Sequence, residues 1–160
     1  MHTRARIFFG ILAAGLATTT AAWAANNGYH GSLCSPVTSA DAGKLKFNGW
    51  GVANISTSVA NVVCGASPTV SSNVLKVEVA VYDKAPDANV CCSIYVQKST
   101  GQAIASQKVC SSGFGNSAQT LSYIPPANAV GTLGMLCSIP PTHPTNGSSH
   151  VISYRVETNP

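Results

Sequence analysis

The chain has 160 residues, of which 45% are hydrophobic and only 9% charged, with a formal net charge of +4. That apolar content excludes a disordered polymer, and the length suits one domain. The charges form no dense basic patch. Lys44-Leu45-Lys46 is the longest basic grouping, so nucleic acid is not an expected partner.

Residues 1–24 read as a secretory signal peptide. Arg4 and Arg6 supply a positive start, Ile7–Ala17 an uncharged apolar stretch, and Ala22-Trp23-Ala24 a small-residue cleavage site. The apolar stretch is shorter than the roughly 20 residues a membrane helix needs. No second run of that length follows, so no transmembrane segment is expected in the mature chain. Lipidation would need a cysteine directly after the apolar stretch, and Cys34 comes too late. The split of Arg4 and Arg6 by Ala5 argues against a twin-arginine route. Removing residues 1–24 takes away both arginines and halves the net charge of +4. The expected mature chain, residues 25–160, is one exported domain, periplasmic or extracellular.

Its elements read as strands. Lys44–Val52, Asn61–Cys64, Ala103–Cys110 and Gln119–Ile124 are short extended candidates. Asn73–Asp83 alternates, with Leu75, Val77, Val79 and Val81 on the expected core face. Val90–Gln97 places Val90, Cys92, Ile94 and Val96 inward. Val130–Ile139 is a further apolar run. Ser149–Glu157 sets Ile152, Tyr154 and Val156 against Val151, Ser153 and Arg155. Turn clusters lie at Asp83–Asp87, Ser111–Asn116 and Pro140–Gly147. No segment has a helical period. The fold class is all-β: a single antiparallel β-sandwich or jelly-roll-like domain with three disulfides.

The six cysteines, Cys34, Cys64, Cys91, Cys92, Cys110 and Cys137, all follow the signal. An even count in an exported chain reads as a disulfide framework, and the spacings do not suit zinc. If Thr100-Gly101 is a two-residue hairpin turn, Cys91 stands directly opposite Cys110. That register puts Gln107 on the face of Ile94, and a bulge or longer turn would shift it by one. Cys92 then points to the other face, where Cys137 is the chosen partner, leaving Cys34 with Cys64. A vicinal Cys91–Cys92 bond is the alternative.

No motif fixes a reaction, and no cofactor is expected. There is no G-x-S-x-G elbow. Asp83 and Asp87 share the spacing of a carboxylate pair or a calcium loop, but suit a turn better. His143 and His150 bracket a Pro/Gly/Asn loop and are candidate metal ligands, with His30 as a third; ordinary surface histidines are the simpler reading, and no metal is expected. Trp50 lies between Gly49 and Gly51 and is the ligand-binding candidate, because an open indole stacks on sugars. Tyr29, Phe114 and Tyr123 are further aromatics in turn-like settings. Asn54-Ile55-Ser56 and Asn146-Gly147-Ser148 match the glycan-acceptor pattern, which matters only in a glycosylating host.

Gly51-x-x-Asn54-x-Ser56, Val63-Cys64, the strand ending Tyr82-Asp83, Cys92-x-Ile94, Leu136–Pro140 and Ile152–Glu157 follow one another in an order that resembles small exported bacterial proteins, disulfide-stapled and of unassigned function. The resemblance implies a β-sandwich and an exported compartment, and carries over no site. Cys91 and Cys110 stand outside it, as an added hairpin bond would.

The expected function is non-enzymatic: a secreted or surface-associated structural or binding protein, an assembly subunit among the options, with itself or cell-surface and extracellular polymers as partners. A carbohydrate- or small-ligand-binding module using Trp50 is the alternative. A small secreted hydrolase using His143 or His150 with an acid comes third.

Overall fold

The computed structural model describes residues 24–66 and 73–159; the expected signal segment, all but Ala24, lies outside them. Among the described residues eleven strands are formed: β1 (Ala25–His30), β2 (Ser35–Pro36), β3 (Leu45–Asn48), β4 (Gly51–Asn54), β5 (Ala60–Ala66), β6 (Asn73–Tyr82), β7 (Cys91–Gln97), β8 (Ala103–Cys110), β9 (Gln119–Tyr123), β10 (Thr132–Ile139) and β11 (His150–Asn159). They make two antiparallel sheets. One has the order β3-β4-β11-β6-β9, with β1 also paired to β11; the other has the order β2-β5-β10-β7-β8. The all-β sandwich expected from alternation is present.

The core lies between the sheets. Val52, Val77, Val79, Val81, Val151 and Val156 of the first sheet are buried, as are Val62, Cys92, Ile94, Val96, Met135 and Ile139 of the second. Side chains of successive strand residues point to opposite faces, so each strand contributes every second residue. β-branched residues fill most of these positions, as a pleated, half-buried surface favours.

Two bulges correct the expected inward faces. Between β6 and β11, the pairs Glu157–Lys76 and Thr158–Val74 skip Leu75. Val74 is therefore buried, and Leu75 turns outward. The pairs Val151–Val81 and Ser153–Ala80 skip Ile152, so Val151 takes the core position expected of Ile152. This second bulge has a local cause. The far edge of β11 pairs with β4 at His150–Val151 and with β1 from Ser153 onward. Two glycine backbones crowd the changeover. A Cβ on Gly31 would stand 2.2 Å from the Val151 carbonyl oxygen, and one on Gly51 2.1 Å. Gly51 also has φ +109°, which side-chain-bearing residues rarely adopt.

Three further expectations are corrected. Lys44–Val52 is two strands, β3 and β4, joined by a Gly49-Trp50 turn. β1 was hidden by its polar sequence; it pairs through its backbone along β11. A four-residue helix, α1 (Ser39–Ala42), is too short to show a period.

The disulfides are Cys34–Cys64, Cys91–Cys110 and Cys92–Cys137, and no cysteine is free. Cys91 faces Cys110 and Cys92 faces Cys137 in register. The β7–β8 connection differs from a two-residue turn. Lys98 N–H donates to Gln102 O and Gly101 N–H to Lys98 O, enclosing three residues. A bulge at Ile104 then returns the register by one, and Cys91 meets Cys110. Two bonds lie within the second sheet, linking β10 to β7 and β7 to β8; the third ties Cys34, just before β2, to β5.

Candidate functional site

Trp50 sits at the tip of the β3–β4 hairpin. Its N–H donates to Asn48 Oδ1 at 2.8 Å, which fixes the two-residue turn. The neighbouring Gly49 carbonyl accepts from His30 Nε2 at 3.1 Å. With the backbone so held, the Trp50 side chain is 68% exposed. It borders a hollow of about 350 Å³ with Tyr82, Lys84, Asn116 and His150.

The other lining residues gather where β6 finishes and β11 begins. Tyr82 ends β6 and is paired with His150, which starts β11. Their rings meet edge to face, with centroids 6.3 Å apart. Lys84 follows β6; its ammonium stands 5.6 Å from the Tyr82 ring centroid and donates to Asn116 Oδ1. Asn116 lies in the β8–β9 loop. A second hollow of about 80 Å³ shares Lys84 and Asn116 and adds Phe114, Gly115 and Asn146. Phe114 is 53% exposed. The two hollows adjoin at Lys84 and Asn116, which line both, and together make the groove, with Trp50 lining one and Phe114 the other.

Asp83 holds these segments together from beneath. It is fully buried. Its carboxylate accepts from Ala85 N–H at 3.1 Å, Val90 N–H at 3.3 Å, Ser149 Oγ at 3.4 Å and from Ser111 Oγ. Its own carbonyl accepts from Gly115 N–H at 2.9 Å. Lys84 N–H in turn donates to Ser149 Oγ at 2.9 Å. The segments bearing Lys84, Phe114–Asn116 and His150 are thus pinned to one carboxylate residue. A buried carboxylate persists only where donors surround it.

Burial holds the His150 imidazole below the usual histidine pKa, and the Lys84 charge acts in the same direction. Its Nδ1 is buried without a hydrogen-bond partner. His150, the exposed Trp50 and Phe114, the half-buried Tyr82, two carboxamides and one ammonium make up the groove's chemistry. No carboxylate lines it.

Of the residues singled out from sequence, Trp50, Phe114 and His150 meet in this groove. His143 does not: it lines a separate hollow with Pro86 and Asp87, and its Nδ1 accepts from Thr145 Oγ1 at 3.0 Å. His30 is engaged with Gly49 and Ser32. No group of three or more His, Cys, Asp or Glu is gathered among the described residues, so the trio His30, His143 and His150 forms no metal centre there. Asp83 and Asp87 flank no cleft, because Asp83 is sealed in the network above. Tyr29 stacks on Tyr154 at 5.0 Å, and Tyr123 is buried in the core. Asn54 is fully buried, and its Nδ2 donates toward the carbonyls of Ser58, Ile139 and Pro140, so the first glycan-acceptor match is a structural asparagine. A further hollow of about 390 Å³ beside Leu75, Ile124 and Pro125-Pro126 has no aromatic or charged lining. Sequence reasoning missed Tyr82, Lys84 and Asn116. Tyr82 lay on the outward face of a well-patterned strand, and the other two lay in turns.

No protein-family model matches the sequence, and no curated protein matches it. Solved structures do resemble the fold. A family 6 carbohydrate-binding module, studied for its binding sub-sites, aligns with a TM-score of 0.51 at 14% identity over 80% of this chain and 90% of its own. The carbohydrate-binding module CBM36, in complex with calcium and xylotriose, aligns with a TM-score of 0.48 at 9% identity, over 82% and 98%. TmCBM61, in complex with β-1,4-galactotriose, has a TM-score of 0.39 at 10% identity, over 84% and 83%. At these identities the likeness to the family 6 module speaks for the β-sandwich fold. No helix among the described residues is long and apolar enough to cross a membrane.

Proposed function

We propose that this chain is an exported, non-catalytic carbohydrate-binding protein whose groove beside Trp50 on the first sheet seats a glycan. One observation carries this reading. An indole 68% exposed on a pinned hairpin tip borders a hollow of about 350 Å³ whose other walls are a second aromatic and polar side chains. A sugar ring presents an apolar C–H face and a rim of hydroxyls. Aromatic faces accept the first, and carboxamides and an ammonium satisfy the second.

The sandwich shared with a family 6 carbohydrate-binding module supports the same reading by analogy of fold. Three disulfides suit an oxidising compartment, in keeping with the signal read at residues 1–24 and the resemblance to small exported bacterial proteins. The partner is then an extracellular or cell-surface polymer. Support lies with this alternative rather than with an assembly subunit. A hydrolase has less in its favour, since His143 and His150 line different hollows and no carboxylate lines the groove.

The test is affinity electrophoresis and tryptophan fluorescence over a panel of plant, algal and bacterial polysaccharides, using the chain without residues 1–24. Trp50 is then its only tryptophan. At least one polysaccharide should retard the protein and quench Trp50. Trp50→Ala should weaken binding about tenfold, the loss of one stacking contact. Unchanged binding in Trp50→Ala, or no retardation by any polymer, refutes the reading.

A further inference from the structure

The groove's charge carries the assignment further. Among the described residues, Lys84 is the only Lys, Arg, Asp or Glu in its lining. All five acids of the chain lie elsewhere. Asp41 accepts from Thr38 and Asn61, Glu78 is bridged by Lys76 and Arg155, and Asp83 is enclosed. Asp87 lines the hollow of His143, and Glu157 stands opposite Lys76 toward the other end of β11. Among the described residues, no carboxylate is within ion-pair distance of Lys84; Lys46, Lys98 and Lys108 also lack one but are exposed, whereas Lys84 is half-buried.

Lys84 is also placed to be used. It belongs to both hollows, at the joint between the Trp50 and Phe114 ends. Its side chain is held over Tyr82 and against Asn116. An ammonium has three N–H donors, and Asn116 takes one. A neutral hydroxyl needs only a carboxamide, which Asn116 and Asn146 already offer. A half-buried cation without a counter-charge favours a ligand that brings one.

We propose that the groove selects an anionic glycan, with the carboxylate or sulfate of one sugar seated on Lys84 Nζ and adjoining rings against Trp50 and Phe114. This rests on the carbohydrate reading above and names its substrate class.

Calorimetric titration of the oxidised protein with four oligosaccharides tests it: trigalacturonate, the same trimer fully methyl-esterified, a sulfated galactan oligomer, and neutral xylotriose. An anionic oligomer should bind about tenfold tighter than the neutral ones, and the advantage should shrink between about 0.02 M and about 0.5 M salt. Lys84→Gln should bring the ratio of acid to ester affinity close to one, while Lys84→Arg keeps a preference; unchanged melting temperatures show that both variants fold. Preference for the uronate or the sulfate identifies which anion is read. Equal binding of acid, sulfate and neutral oligomers, or a preference that survives Lys84→Gln, overturns the anion inference and leaves carbohydrate binding standing. If no oligomer binds and the polysaccharide panel also fails, the carbohydrate reading falls and this inference with it.

Discussion

The main-chain N–H of Lys84 donates to the hydroxyl of Ser149 at 2.9 Å, and that hydroxyl reaches on to the buried carboxylate of Asp83. The chain leaving β6 and the chain entering β11 are joined at this point. Asp83→Ala strands the N–H of Ala85 and removes the acceptor shared by the Ser111 and Ser149 hydroxyls, while Val90 N–H keeps its 2.9 Å bond to Ser111 Oγ. It is expected to lower unfolding free energy by about 2–4 kcal/mol, read by urea denaturation. Ser149→Ala should cost about 1 kcal/mol and weaken glycan binding without touching the ligand. Wild-type stability in Asp83→Ala would show that the network holds nothing.

Gly51 fixes where Trp50 points. A methyl group at Gly51 meets the Val151 carbonyl at 2.1 Å, and the backbone has φ +109°. Gly51→Ala should lose about 2 kcal/mol or more and shift the Trp50 emission maximum. Gly49→Ala is the control, because a Cβ there has nothing within 4 Å.

The disulfides should open in a fixed order. Cys110 is exposed, whereas Cys92 and Cys137 are fully buried. Limited reductant followed by alkylation and mass mapping should label Cys91 and Cys110 before Cys92 and Cys137. Replacing both members of the buried bond, which spans 45 residues, should cost about 4 kcal/mol; the hairpin bond, spanning 19, should cost about 3.

Asp41 gives an acid limb to stability. The Thr38 hydroxyl, 2.6 Å away, is the largest influence holding its carboxyl below the usual aspartate value, followed by the Asn61 N–H. A carboxyl depressed in the fold stabilises it at pH above the unfolded aspartate value. That contribution is lost as pH falls through the folded value. Asp41→Asn should therefore flatten the fall in melting temperature below about pH 4. An unaltered acid limb would mean that other groups carry it.

The sandwich was legible because Val77, Val79, Val81, Ile94 and Val96 alternate without interruption, and alternation needs no knowledge of partners. It failed at Leu75 and Ile152, where a bulge moves the inward face by one residue. A bulge is set by the strand alongside, so neither residue announces it. The Cys91–Cys110 opposition assumed a two-residue turn. The extra turn residue and the bulge at Ile104 cancel, and the opposition stands for a reason the local sequence does not display. Trp50 could be picked out because flanking glycines leave an indole open. Lys84 and Asn116 could not, since they lie 32 residues apart and meet only through the Asp83 network. Asp83 itself looks like any turn aspartate until its surroundings are known.

The pairing of β1 with β11 sets an orientation. Ala25 lies beside Thr158, so both ends of the described fold emerge at one pole. His150, at the opposite end of the same ten-residue strand, marks the groove, about 30 Å away. Anything fused, tethered or anchored at either end of the domain would therefore attach at the pole opposite His150. A purification tag or a surface-immobilisation linker at residue 25 or residue 159 would start at the end of β11 far from His150.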